Sequence, residues 1–168
     1  FRALQRFYPL YGANYPAEHY TTFLAERLHL LKPMLTKEVK AKVTYHDNCC
    51  IGRRCKCFEP PRELLKAIPG SELVEMDKNR ENTLCCGGGG GGMWLDAHIT
   101  ENHGHRLSDE RIRQAAETGA EILAVSCPYE LSRFEDSIKV AGLENQLKVR
   151  DIIELMAESM GIEEGGES

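Results

Sequence analysis

Apolar residues first recur at helical spacing near the start of the chain. Leu24, Leu28 and Leu31 fall at i, i+4 and i+7 between Tyr20 and Lys32, and Pro33 closes the pattern. This predicts a helical arm over residues 1–38 that packs on the domain after it. From Lys42 the period changes: Val43, Thr44 and Tyr45 form a β-type run that stops at His46, Asp47 and Asn48. Pro60 and Pro61 sit where a helix starts, and Arg62 to Ile68 continues it until Pro69 and Gly70. Glu72 to Met76 reads as a second strand. A helix then ends at Thr118 before Gly119, with Ile112, Ala115 and Ala116 on one face, and Glu121 to Ser126 reads as a third strand. Pro128 opens the next helix, which runs to near Gly142. Asp151 to Met160 makes the last helix, before a flexible acidic tail at 162–168.

Strands alternating with helices at this spacing predict an α/β fold: a parallel βαβ-type sheet with flanking helices, spanning 39–161 and preceded by the arm. In such sheets ligands bind beyond the carboxyl ends of the strands. Cys49 and Cys127 lie just past the first and third predicted strands, and Cys85 and Cys86 lie in the connection after the second. Topology therefore gathers these four thiols at one rim, which indicates a site.

Composition narrows what the site can be. A chain of 168 residues, 42% hydrophobic and 28% charged, is that of one globular domain rather than a disordered or fibrous segment. It can bury roughly two-thirds of its unfolded surface, so cysteine staples are not needed for folding. The formal net charge of -5 argues against nucleic acid or an anionic membrane surface as main partner. No run approaches the roughly 18 apolar residues of a membrane span, and nothing near Phe1 reads as a targeting signal. The chain opens without Met, which predicts a piece of a longer polypeptide. Seven cysteines, an odd number with two adjacent pairs, suit a reducing cytoplasm better than a disulfide framework.

Thiolates on separate loops suit zinc or an iron-sulfur cluster. Adjacent cysteines strain to share one tetrahedral zinc but reach different irons of an extended cluster, which favours the cluster. Cys127 precedes Pro128 at a helix start, where free N–H groups and the helix dipole predict a lowered thiol pKa. The run from Gly87 to Gly92, with Gly87 and Gly88 nearest the thiols, lets backbone N–H groups approach anionic sulfur. Arg53, Arg54 and Lys56 can offset negative charge or attract an acidic partner. Blander readings stand beside these: cysteine as a small buried hydrophobe, a vicinal Cys85-Cys86 disulfide, and the glycines as a flexible linker. Gly87, Gly89 and Gly92 match G-x-G-x-x-G only because the window is all glycine, so no nucleotide site follows. His46, His98, His103 and His105 are candidate ligands, although exposed loop or helix-surface histidines are the more common case. Glu163, Glu164 and Glu167 read as a solvated tail.

Taken together, VTYHDNC at 43–49, PRELL at 61–65, IPG at 68–70, LCCGG at 84–88, TGA at 118–120 and SCP at 126–128 resemble the cysteine-rich CCG domain family. That family includes the B and D subunits of heterodisulfide reductases and the iron-sulfur subunit of glycolate oxidase. The resemblance runs from about Lys42 to Met160. It implies an α/β fold and, in the heterodisulfide reductase branch, a noncubane [4Fe-4S] cluster; other branches relay electrons or hold zinc. Carried over residue by residue, it gives Cys49, Cys85, Cys86 and Cys127 as ligands. The family's pattern has a further cysteine three residues after Cys127, where this chain has Glu130. Glu130 reads as a capping glutamate in a first helical turn, or as a carboxylate ligand in place of the thiolate. Cys50, Cys55 and Cys57 are extra relative to the family's usual pattern and could compensate, with Cys50 a further candidate metal ligand. The Gly run and Met93-Trp94 resemble membrane-associated heterodisulfide-reductase-like subunits of anaerobes.

The resulting expectation is a redox domain that passes electrons to or from a thiol, disulfide or quinone-linked partner. It lies in the cytoplasm or at the cytoplasmic face of a membrane complex. A structural zinc domain and a metal-free interaction module are the alternatives. The chain has no C-x-x-C-x-x-C run to feed electrons in, so other redox subunits or domains are expected partners. No catalytic residue and no substrate is assigned.

Overall fold

In a computed structural model of the protein, residues 2–92, 94, 104 and 106–162 are described. Met93, His98, His103, His105, Glu163, Glu164 and Glu167 lie outside them.

Four strands form one parallel sheet: β1 (Ala41–Tyr45), β2 (Ser71–Leu73), β3 (Ile122–Val125) and β4 (Lys148–Asp151), in the order β2-β1-β3-β4. Val43 lies opposite Leu73 on one side and Ile122 on the other, and Leu123 lies opposite Val149. All four residues of β3 are buried, as expected of a central parallel strand covered on both faces. The alternation of side chains separates two cores. Val43, Tyr45, Ile122 and Ala124 face one of them, with Leu64 and Leu65 of α4 (Glu59–Ala67) and Ile152, Leu155 and Met156 of α7 (Ile152–Ser159). Leu123, Val125 and Val149 face the other, with Ile112 and Ala115 of α5 (Leu107–Glu117) and Phe134 and Ile138 of α6 (Pro128–Ala141).

Before the sheet, α1 (Arg2–Arg6), α2 (Tyr20–Glu26) and α3 (Leu28–Leu31) make up the arm. Leu24, Ala25, Leu28 and Leu31 pack against the first core, as their spacing predicts. The helix is not continuous: it breaks at Arg27, and Pro33 lies inside a 3₁₀ turn, Lys32–Met34, instead of ending the helix. The Tyr20 hydroxyl donates to Asp151 Oδ1 at 2.5 Å, and the Lys37 N–H donates to Ser159 O at 2.8 Å, tying the arm to both ends of α7.

Two strand readings are corrected. The second strand is Ser71–Leu73 rather than Glu72–Met76, and Met76 belongs to the opposite core. A fourth strand, Lys148–Asp151, has no counterpart in the sequence reading. It sits at the sheet edge with only Val149 fully buried, so it shows neither an apolar run nor alternation. Asp151 then caps α7, accepting from the Ile153 N–H while Glu154 accepts from the Asp151 N–H, both at 3.0 Å. No described helix is long and apolar enough to cross a membrane.

Candidate metal centre

From β1 the chain proceeds outward to β2, and from β3 to β4 on the other side. The carboxyl ends of β1 and β3 therefore flank a topological switch point, where α/β sheets place their ligands. The Tyr45 and Ser126 hydroxyls join these two ends at 3.0 Å. After β1, His46, Asp47 and Asn48 are buried, and the π-helical turn Cys49–Arg53 comes next, capped by Asn48 Oδ1 accepting from the Cys50 N–H at 2.7 Å. After β3 come Ser126 and then Cys127, the N-cap of α6.

The long connection from β2 brings in the remaining thiols. Cys86 is seated in the second core and Cys85 is half-buried. The Gly87 N–H donates to Cys85 Sγ at 3.4 Å and the Gly88 N–H to Cys86 Sγ at 3.5 Å, so the peptide groups are aimed at sulfur as expected. The glycines form a built turn. Gly87 has φ +72°, Gly89–Gly91 is a 3₁₀ turn, and a Cβ at Gly92 would stand 2.6 Å from the Gly87 carbonyl oxygen. The linker reading of this run is therefore replaced by a tight backbone fold that only glycine fits at its ends.

All seven thiols are free. A hydrogen bond from Cys86, the Gly87 N–H and the Arg53 and Arg54 guanidiniums pull the Cys85 thiol down to about 5. The same bond to Cys85, with burial, pushes Cys86 up, so the pair shares one proton. Burial, Cys50, Cys85 and Glu130 push Cys49 up to about 11. Cys127 departs from the sequence reading. The N–H groups of Tyr129 and Glu130 at the helix start do favour its thiolate, but burial and the nearby Glu130 carboxylate outweigh them, and its pKa rises. Glu130 thus acts electrostatically on Cys49, Cys86 and Cys127, and Cys85 acts on Glu130. Cys50 is exposed beside Cys49. Cys57 meets the Thr22 hydroxyl of the arm at 3.4 Å, with Cys55 half-buried on the same basic loop.

The Glu130 side chain is only 1% accessible, and its Oε2 has no hydrogen-bond partner among the described residues. Its Oε1 lies 3.5 Å from His46 Nε2. His46, read from sequence as a surface histidine, is equally buried, and ligand atoms of His46, Cys86 and Glu130 lie within 4.8 Å of one another. Behind His46, the fully buried Arg111 donates from Nε to His46 Nδ1 at 3.0 Å. Beside it, Arg62 clasps Asp47 through Nη1–Oδ1 at 2.7 Å and Nη2–Oδ2 at 2.9 Å, and holds Glu75 through Nε–Oε1 at 2.6 Å.

Burial pushes the Glu130 carboxyl up to about 8, against the pull of the Ser126 backbone and the Asn48 side chain. A folded-state pKa raised in this way contributes stability that is complete below the ordinary value of 4.5 and is lost as pH rises through about 8. Glu130→Gln keeps the shape and removes the ionisation. Urea unfolding of the metal-free protein, at one pH below this window and one above, is therefore expected to show wild type losing stability relative to Glu130→Gln on going alkaline. An equal pH dependence for the two proteins would contradict a buried, neutralised carboxyl.

A profile of the cysteine-rich CCG domain matches residues 43–129, from the middle of β1 to the first turn of α6. The chain is 39% identical over 153 residues to the probable iron-sulfur-binding oxidoreductase FadF of Bacillus subtilis, covering 91% of this chain and 21% of that protein. It is 36% identical over 163 residues to the EtfAB:quinone oxidoreductase of Syntrophomonas wolfei, covering 95% and 23%. It is 37% identical over 168 residues to the D subunit of the dihydromethanophenazine:CoB–CoM heterodisulfide reductase of Methanosarcina barkeri, covering 96% and 39%. The chain thus spans well under half the length of these relatives. The profile takes in both Cys49 and Cys127, and with these relatives it establishes that the chain belongs to the cysteine-rich CCG domain family.

Proposed function

We propose that this chain is an iron-sulfur redox domain, with Cys49, Cys85, Cys86 and Cys127 as thiolate ligands and Gly87 and Gly88 as donors to the bound sulfur. The observation that carries the reading is the donor set at the switch point. Peptide N–H groups are aimed at two adjacent sulfurs, guanidiniums favour the Cys85 thiolate, and a buried carboxylate oxygen stands without a partner among the described residues. These residues suit an electron-rich cluster: soft thiolates hold iron, and the surrounding donors stabilise the negative charge that a cluster gains with each electron. Cys85 and Cys86, being adjacent, suit two different irons, which supports an extended, noncubane [4Fe-4S] centre. Glu130 supplies the oxygen ligand at the position where the family's pattern has its further cysteine.

Electron exchange with a thiol, disulfide or quinone-linked partner, within a complex of other redox subunits or domains, is the role this reading assigns. FadF is named for iron-sulfur binding, and the other two relatives are named for quinone and heterodisulfide reduction. Anaerobic incubation with ferrous iron and sulfide tests it. The protein is expected to turn brown and to retain iron and acid-labile sulfide in equal amounts after desalting. Retention of zinc with no iron would replace the redox reading by a structural one, and retention of neither metal would leave an interaction module.

A further inference from the structure

His46, Cys86 and Glu130 are all buried and present their ligand atoms together, so the trio has the composition of a metal site. The hydrogen bond on the His46 ring points elsewhere. A guanidinium can only donate, and Arg111 Nε donates to His46 Nδ1 at 3.0 Å. Nδ1 is therefore the acceptor, and the proton of the neutral ring sits on Nε2. That is the atom turned to Glu130 Oε1, at 3.5 Å. The nitrogen facing Glu130 thus carries a hydrogen and has no lone pair to give a metal.

The arrangement is held from behind. Arg111 donates from Nη1 to Lys78 O at 2.6 Å and to Gln114 Oε1 at 3.0 Å. Phe134 meets the imidazole edge-on, with ring centroids 4.9 Å apart. Burial and the Arg111 charge hold His46 well below its ordinary pKa, consistent with a neutral ring. Moving the proton to Nδ1, so as to present a bare Nε2, would set Nδ1–H against the Arg111 donor and bury two opposed N–H groups.

We infer that Arg111 and His46 are positioning residues and not ligands: Arg111 fixes the His46 tautomer, and His46 Nε2–H holds Glu130 Oε1 and leaves Oε2 for the sulfur centre. The role of Oε2 rests on the iron-sulfur reading of the site. The tautomer does not.

Two measurements on the full chain test this and separate the two layers. In metal-free protein labelled with ¹⁵N-histidine, the resonances lost in His46→Gln identify His46. Their shifts are expected to show a protonated Nε2 and a bare Nδ1 at neutral pH, and Arg111→Met is expected to replace that single tautomer by a mixture. A bare Nε2 in the wild type would overturn the inference whether or not Arg111→Met folds. In protein loaded with iron and sulfide and reduced, pulsed EPR is expected to show no directly bound histidine nitrogen. His46→Gln, whose amide N–H still reaches towards Glu130, is expected to keep the wild-type iron content and spectrum. Glu130→Gln, which removes the carboxylate ligand, and His46→Leu are expected to give the same altered spectrum, and the double variant nothing beyond it. Strong ¹⁵N-histidine coupling would make His46 a ligand and overturn the inference. Wild-type protein that takes up no iron defeats the iron-sulfur reading and the role of Oε2, while the ¹⁵N shifts still decide whether Arg111 orders His46.

Discussion

Cys85→Ser is expected to strip the protein of most of the iron it otherwise retains after anaerobic loading, with little change in its fold. Cys85 is the thiol most favoured as thiolate, through Cys86, the Gly87 N–H and two guanidiniums. A serine hydroxyl at the same place is a far weaker acid and a hard oxygen donor, poorly matched to an iron-sulfur centre. Because Cys85 is half-buried, the change opens no sealed cavity, so far-UV circular dichroism and the thermal transition should stay close to wild type. The matched control is Cys55→Ser with Cys57→Ser. Those thiols lie on the basic loop, Cys57 against Thr22 of the arm, and the double change is expected to preserve most of the iron. Full iron in Cys85→Ser together with loss in the control would move the centre to that loop.

The division between what the sequence discloses and what it does not runs with the range of the interactions. β1 and β3 are legible because they are central and buried, and the loops after them are legible because polar residues end each run abruptly. With a parallel sheet inferred, topology alone predicts that Cys49, Cys85, Cys86 and Cys127 gather at one rim. β4 is not legible, because an edge strand with one buried residue carries no local signature. The sign of the Cys127 shift is hidden for a related reason. Helix-start donors are visible in the sequence, whereas the burial that outweighs them is made by distant segments.

The polar interior has a readable trace. In α6, Glu130 shares the buried stripe of Phe134, Ser137 and Ile138, at i, i+4, i+7 and i+8. In α5, Ser108, Arg111, Ile112 and Ala115 fall at i, i+3, i+4 and i+7. A charged residue on an apolar stripe is the signal that points to Arg111 and Glu130, and His46, immediately after a buried strand, is the group that lies between them.

Arg62→Met is expected to cost about 3–5 kcal/mol of folding stability, the range for removing one partner of a buried ion pair. Arg62 is fully buried and Asp47 is 1% accessible, so the carboxylate left behind keeps its desolvation and loses two charge-assisted bonds at once. Methionine restores much of the lost volume, which assigns the effect to charge more than to a cavity. Asp47 also accepts from the Arg80 N–H at 2.6 Å, where the backbone of Arg80 is held at φ +50°. Freeing Asp47 therefore loosens the connection after β2 as well as the loop that leads into Cys49. Asp47→Asn in the Arg62→Met background removes the stranded charge and keeps the shape, so the double variant is expected to be more stable than Arg62→Met alone. Urea unfolding of the metal-free proteins measures both. If Arg62→Met unfolds within about 1 kcal/mol of wild type, in the range of ordinary surface changes, the clasp is not what holds the ends of β1 and β2 together. If the double variant falls below Arg62→Met, the loss comes from packing and not from the unpaired carboxylate.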